Sequence, residues 1–352
     1  GRMPASRYAA PQRNLPVGGG LLARCGVGAG FFGFGPGGGA ATMPAGHWRA
    51  GGFIHRSSGD TWDDRLDGTP TVQTLEVPGY EVVRFLGTGA RSTIWEVRDR
   101  QAGDVYALKR VLRRGTEDGR FLEQAVNEFE VAQQLDHPVI RRIHDLRRVK
   151  KWFSLREVRL IMEYCEGTNV QDERPEDVPE TLRIFAEVAG ALAYMNARGY
   201  VHADMKPNNI LVAADGVVKI IDLGQSCPQG TVKKRIQGTP DFIAPEQVRR
   251  RPLDGRTDVY NFGAALYWAL TGRAVPTVLP RAGASTLKAD MKPPSADQSA
   301  PGVPPALGRL INECLELRPA RRPESMAKVA SRLQLIQHAL QPGERPEPDE
   351  DL

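Results

Sequence analysis

Val201-His202-Ala203-Asp204-Met205-Lys206-Pro207-Asn208-Asn209 is the stretch on which the reading of this chain turns. Asp204, Lys206 and Asn209 put a carboxylate, an ammonium and an amide close together. Eighteen residues after Asp204, the apolar run Val217 to Ile221 reads as a strand and delivers Asp222-Leu223-Gly224, which taken alone is a plain turn. Before the stretch, Leu182, Phe185, Val188, Leu192 and Met195 fall at spacings of three and four. That spacing predicts a helix, with Pro179 in its first turn and Gly199 at its end. Further helices are expected at about 257–271, 305–317 and 324–339, with a Pro-rich connection over roughly 275–304.

The pattern differs toward the N-terminus. Tyr80 to Leu86 and Thr93 to Val97 read as two strands flanking a glycine-containing turn, and Val105 to Val111 as a third. Phe121 to Leu135 reads as a helix stopped by Asp136-His137-Pro138. Two more strands are expected around 140–146 and 158–163. The expected class is therefore α+β, with a small strand-rich lobe carrying one main helix, then a larger helical lobe.

Composition sets the surroundings. The chain has 352 residues, 41% of them hydrophobic, which suits one large two-lobed soluble domain with tails. No run of about 18 uncharged apolar residues reads as a membrane span. Cys25, Cys165, Cys227 and Cys314 form no CxxC pair, so free thiols in a reducing compartment are expected rather than zinc or a disulfide framework. Residues 1–56 hold six arginines and no acid, and residues 1–78, rich in Gly, Pro and Ala, read as a disordered tail. The chain starts at Gly1, and Met43 offers an alternative start. Residues 341–352 read as an acidic disordered tail.

Phosphoryl transfer needs a cradle for phosphates, a metal to neutralise them and a group that orients the hydroxyl. The order of motifs over residues 80–340 resembles the protein kinase family, of the eukaryotic-like serine/threonine type found in bacteria. Gly87-Thr88-Gly89-Ala90-Arg91-Ser92-Thr93-Ile94 resembles the family's glycine loop, with Ser92 at the third glycine position. Glycine lets backbone N–H groups approach phosphate closely. Val105-Tyr106-Ala107-Leu108-Lys109 resembles V-A-I-K, and Glu128 fits the position that pairs with its lysine. The stretch from His202 to Asn209 resembles H-R-D-L-K-P-x-N, with Ala203 in place of arginine. Asp222-Leu223-Gly224 stands at D-F-G, and Ala244-Pro245-Glu246 matches A-P-E.

The resemblance implies a two-lobed kinase domain over 79–340, split into an N-lobe at 79–165 and a C-lobe at 166–340. It implies catalytic roles for Asp204, Lys206, Lys109, Glu128 and Thr239. ATP would be held by Leu86, Gly87, Thr88, Gly89, Ala90, Ser92 and Ile94, by Ala107 and Lys109, by Met162, Glu163 and Cys165 at the hinge, and by Leu211. Asn209 and Asp222 would bind Mg²⁺, with Mn²⁺ as a substitute. Asp258 would brace the catalytic loop and Glu246 would pair with Arg322. Ala203 leaves a phosphorylated activation segment without its usual arginine, and Ser226 and Thr231 are the candidate hydroxyls there.

The implied activity is transfer of the ATP γ-phosphoryl group to Ser or Thr hydroxyls of proteins. Lys206-Pro207 and Thr239 favour that class over tyrosine kinases. The alternatives are a catalytically weak pseudokinase scaffold and a small-molecule phosphotransferase. The presence of Lys109, Asp204, Asn209 and Asp222 argues against the first, and the A-P-E segment against the second. A protein substrate is the expected partner, no nucleic acid is called for, and the expected location is cytoplasmic. The cations between Arg141 and Arg159, with Trp152 and Phe153 at the tip, read as an exposed hairpin in preference to a docking surface.

Overall fold

The computed structural model describes residues 75–89, 91–276 and 293–340. Residues 1–74 of the expected tail at 1–78, the expected tail at 341–352, and Ala90 of the glycine loop lie outside the described residues.

Five strands form one antiparallel sheet in the order β1-β2-β3-β5-β4. They are β1 (Tyr80–Thr88), β2 (Ser92–Asp99), β3 (Val105–Leu112), β4 (Ile143–Lys151) and β5 (Ser154–Glu163). Side chains alternate between the faces of a strand, and β3 shows the result. Leu108 packs with Trp95, Val97 and Ile161 on one face, while Ala107 and Val111 join the core that includes α1 (Gly119–Ala132). Lys109 is in phase with Ala107 and Val111 and so faces α1. On α1, Leu122, Ala125, Glu128, Val131 and Ala132 are buried at helical spacing, which sets Glu128 within an apolar stripe.

Packed structure starts four residues before the expected boundary. Leu75 and Val77 are only 4% and 5% exposed and complete the cluster around Trp95. Arg159 donates to the Glu76 carbonyl at 2.8 Å and Arg147 to the Pro78 carbonyl at 2.6 Å, so this strap is tied to β4 and β5. The strand expected at 140–146 lies instead at Ile143–Lys151. Residues before it pair elsewhere: Ile140 bridges Ile220, and the Ile220 N–H donates to the Val139 carbonyl at 2.6 Å.

The second lobe holds β6 (Thr168–Asn169), α2 (Val178–Ala197), β7 (Tyr200–Val201), β8 (Ile210–Val212), β9 (Val218–Ile220) and β10 (Cys227–Pro228). It continues with α3 (Pro245–Val248), α4 (Gly255–Thr271), α5 (Ala296–Ser299), α6 (Pro305–Cys314) and α7 (Met326–Leu340). Asp177 caps α2 by accepting from the Glu180 N–H at 2.8 Å, and Asp254 caps α4 through the Arg256 N–H at 2.8 Å. Gly272 ends α4 at φ 67°, a conformation glycine adopts without steric cost. α4 is buried on nearly every side, with Val259, Phe262, Ala265 and Leu266 at 1% exposure or less. Sequence periodicity did not announce α3 and α5, because four residues are too few to show a repeat.

A chain beginning at residue 79 is expected to melt below one beginning at residue 75. In the full chain, Leu75→Ala should lower unfolding free energy by about 2–5 kcal/mol, as for other buried leucines. Urea unfolding measures both, and equal stability of the two truncations would show the strap to be dispensable.

Candidate active site

The alternation of β3 delivers Lys109 to Glu128, and Lys109 Nζ lies 2.6 Å from Glu128 Oε2 and 3.7 Å from Asp222 Oδ1. Burial disfavours the lysine cation, but Asp222 and Glu128 more than offset this and raise its pKa. Asp222 follows β9. Burial works against its carboxylate too, yet Lys109, the Gly224 N–H and Lys206 outweigh it and hold the pKa down to about 2. The Asp222 side chain remains 41% exposed.

Asp204 sits in the loop between β7 and β8. Its Oδ1 accepts from both the N–H and the hydroxyl of Thr239, each at 3.1 Å, and its Oδ2 lies 3.1 Å from Lys206 Nζ. Lys206 Nζ also donates to Thr239 Oγ1 at 2.8 Å. Asp204, Lys206 and Thr239 are thus one bonded triangle. Asn209 Nδ2 donates to the Asp204 carbonyl at 2.8 Å, which turns its own amide oxygen outward from that bond.

Beneath the loop lies Asp258, fully buried in the first turn of α4. It accepts from the N–H groups of His202 at 3.0 Å and Ala203 at 2.9 Å, and from Asn196 Nδ2 at 2.7 Å. This holds Ala203 at φ 62°, a conformation that costs a non-glycine residue roughly 1–2 kcal/mol. Burial pushes His202 down in pKa against the pull of Asp258, so it is a neutral packed imidazole. Its Nδ1 accepts from the Asp204 N–H at 3.3 Å.

The glycine loop is a hairpin in which the Gly89 N–H donates to the Ser92 carbonyl at 2.8 Å. A side chain at Gly89 would come within 2.6 Å of Ser92 Oγ, so Ser92 closes the turn from inside. Gly87 pairs with Ile94, and Leu86 and Thr88 flank it on β1. Ala107 on β3 pairs with the fully buried Met162 on β5. At the hinge, the Glu163 N–H already donates to the Arg142 carbonyl at 2.9 Å, while its carboxylate meets Lys219 and the Arg142 N–H. Leu211 lies on β8, paired with Lys219.

A cleft of about 440 Å³ brings together Gly89, Ser92, Lys109, Glu128, Asp204, Lys206 and Asp222. Of the other expected residues, Leu86, Gly87, Thr88, Ile94, Ala107, Met162, Glu163, Cys165, Asn209, Leu211 and Thr239 are not among its lining residues. Gln225, Arg235 and Gln237 are, and no motif marks the two glutamines in the sequence.

The segment from Asp222 to Glu246 is fixed by bonds the sequence did not announce. Asn127 Nδ2 on α1 donates to the Ser226 carbonyl at 2.9 Å, and Lys233 Nζ to the Gln225 carbonyl at 2.7 Å. Gln247 Nε2 donates to the Ala203 carbonyl at 2.7 Å. Ser226 is fully buried and its hydroxyl donates to the His202 carbonyl at 3.3 Å, so it is no open site for modification. β10, which follows at once, pairs with β7 and pins it there. Thr231 is half-buried and its hydroxyl donates to the Pro228 carbonyl. Glu246 and Arg322 form a buried two-pronged pair, at 2.7 and 2.9 Å, with the guanidinium over the Tyr260 ring. Removing one partner of such a pair costs about 3–5 kcal/mol, because the other charge is left buried alone.

The donor set fits a nucleotide with a hard divalent cation. Asp222 offers an ionised carboxylate and Asn209 an amide oxygen, and magnesium accepts such ligands alongside phosphate oxygens. Among the described residues no cluster of three or more His, Cys, Asp or Glu forms a metal cage, so a cation here would be shared with the phosphates.

The family model described as protein kinase domain matches residues 80–337, and the chain belongs to that family. It is similar to the serine/threonine-protein kinase PknA of Mycobacterium tuberculosis (strain ATCC 25618 / H37Rv), at 29% identity over 253 residues, 69% of this chain and 57% of the relative. It is also similar to the serine/threonine-protein kinase pkn3 of Myxococcus xanthus, at 28% identity, covering 73% of this chain and 50% of the relative. An Aurora kinase of Candida glabrata is 31% identical over 209 residues, 56% of each chain. The chain spans about half the length of the curated relatives it matches.

The sign of the Asp222 shift makes a prediction. Its folded pKa is depressed from 3.8 to about 2, so its ionised form contributes fully above 3.8 and the contribution is lost as pH falls through about 2. A ¹³C NMR titration, assigned with Asp222→Asn, should find the Asp222 carboxyl still mostly ionised near pH 3. A midpoint at the ordinary aspartate value would mean that Lys109 does not hold it.

Proposed function

We propose that this protein is a serine/threonine protein kinase. The carrying observation is the convergence of Lys109, Glu128, Asp204, Lys206 and Asp222 on one cleft, with Thr239 bonded to both Asp204 and Lys206. Bound ATP with Mg²⁺, or Mn²⁺ in its place, would supply the γ-phosphoryl group and the charge that neutralises it.

The protein's own residues do the rest. Lys109, held by Glu128, would anchor the α- and β-phosphates beneath the glycine loop. Asp222 and Asn209 would hold the metal. The Glu163 carbonyl and the Cys165 backbone suit the adenine edge, since the Glu163 N–H is already bonded. Asp204 would orient the substrate hydroxyl and take its proton, and Lys206 would steady the group in transit. Thr239 keeps both in register.

The complete set of polar residues favours catalysis over a pseudokinase scaffold. The platform built on Glu246 and Arg322 favours a polypeptide substrate over a small molecule. Among the described residues no helix is long and apolar enough to cross a membrane. Our assignment of the cytoplasm rests on the free thiols of Cys165, Cys227 and Cys314.

The purified protein should phosphorylate a generic Ser/Thr substrate, or itself, only with ATP and Mg²⁺ or Mn²⁺. Asp204→Asn should cut the turnover by on the order of 10²–10⁴-fold, as for loss of a general base, while nucleotide binding persists. Undiminished turnover in that variant would refute the assignment. Ala203 offers a phosphate on this segment no cation, and Lys233 Nζ is already bonded to the Gln225 carbonyl. Phosphatase-stripped protein and Thr231→Ala should therefore keep most of their activity. A stripped sample that falls silent and recovers by autophosphorylation would contradict this.

A further inference from the structure

The β4–β5 hairpin carries a feature that neither the fold nor the cleft uses. Lys151 pairs with Ser154, so Trp152 and Phe153 are the two residues of the turn. They are 87% and 101% exposed. Trp152 has φ 58°, at the first turn position of a two-residue hairpin, where glycine or asparagine is the usual occupant. A bulky residue there works against folding.

The stem below the tip is cationic. Residues 146–156 contain no acid. Arg147 is paired with Asp145, and Glu157 is buried against Arg110 and Arg159. Arg148, Lys150, Lys151 and Arg156 are exposed, and none has an ion-pair partner among the described residues. With about 3.3 Å of rise per residue, Lys150 lies roughly 7 Å and Arg148 roughly 13 Å behind Trp152. Aromatic groups of interfacial segments seat about 5–10 Å into the headgroup and acyl boundary, so these cations would meet the headgroups.

We propose that this hairpin docks the domain on an anionic lipid surface, with Trp152 and Phe153 in the interfacial layer and Arg148, Lys150, Lys151 and Arg156 against the headgroups. Charge complementarity selects anionic over neutral lipid, since each basic residue at such a surface adds roughly fivefold to binding. The shape selects lipid over nucleic acid. Single-stranded nucleic acid is held in grooves that track its backbone, whereas this tip is a two-residue turn with no walls among the described residues. A fluid interface needs no walls.

The test is co-sedimentation of the full chain with phosphatidylcholine vesicles, with or without phosphatidylserine. Binding is expected only with phosphatidylserine and should weaken with salt. Trp152→Asn with Phe153→Ser should weaken it at least roughly tenfold, with the melting temperature no lower and phosphorylation of a soluble peptide unchanged. Glutamine at all four cations should weaken it on the order of 10³-fold. The proposal fails if the parent protein does not bind the anionic vesicles. It also fails if the tip variant binds as the parent does, or if the hairpin variants lose only binding to a single-stranded oligonucleotide.

Discussion

A single buried carboxylate, that of Asp258, sets the geometry on which the candidate site depends. It stands in the first turn of α4, where the helix dipole favours negative charge. Three N–H donors converge on it, two of them the backbone amides of His202 and Ala203. Without it those amides would be buried and unsatisfied, at about 1–3 kcal/mol each. The left-handed turn at Ala203 follows from this anchor, and so does the direction in which Asp204 leaves the loop. The loop is thus positioned by the core of the helical lobe rather than by its own residues.

The two lobes meet through unlike contacts at the two ends of the cleft. Near the hinge they are laced by backbone: Ile140 bridges Ile220, and the Arg141 N–H donates to the Ile220 carbonyl at 3.0 Å. Lys219 adds an ion pair to Glu163. At the other end they meet through side chains, Lys109 to Asp222 and Asn127 to the Ser226 carbonyl. Lys109 therefore belongs to a chain of contacts that runs from the sheet through α1 into the second lobe.

Much of this was legible in the sequence, where periodicity and chemistry agree. The spacing of Leu182, Phe185, Val188, Leu192 and Met195 gave α2, and every one of these residues is fully buried. The pairing of Lys109 with Glu128 and that of Glu246 with Arg322 were both expected from motif order. What escaped depends on where the chain is carried in space. Ser226 reads as a surface hydroxyl until β10 tucks it under His202. Leu75 and Val77 are two apolar residues in a Gly- and Pro-rich context, too few for a period, and only the exposed back of the sheet gives them a place. Gln247 and Asn261 are common polar residues, and nothing in their spacing reveals the buried network they share with Ala203 and Phe242.

The Glu246–Arg322 pair also bears on how the lobe is made. Its partners are 76 residues apart in the chain. At about 5–20 residues per second of synthesis, Glu246 leaves the ribosome roughly 4–15 seconds before the guanidinium that will neutralise it. Until then, closing α3 onto the core would bury a carboxylate met only by the Thr257 hydroxyl, with no cation to balance it. α3 and the flank of α4 therefore gain their neutralising partner only once the segment after α6 has emerged.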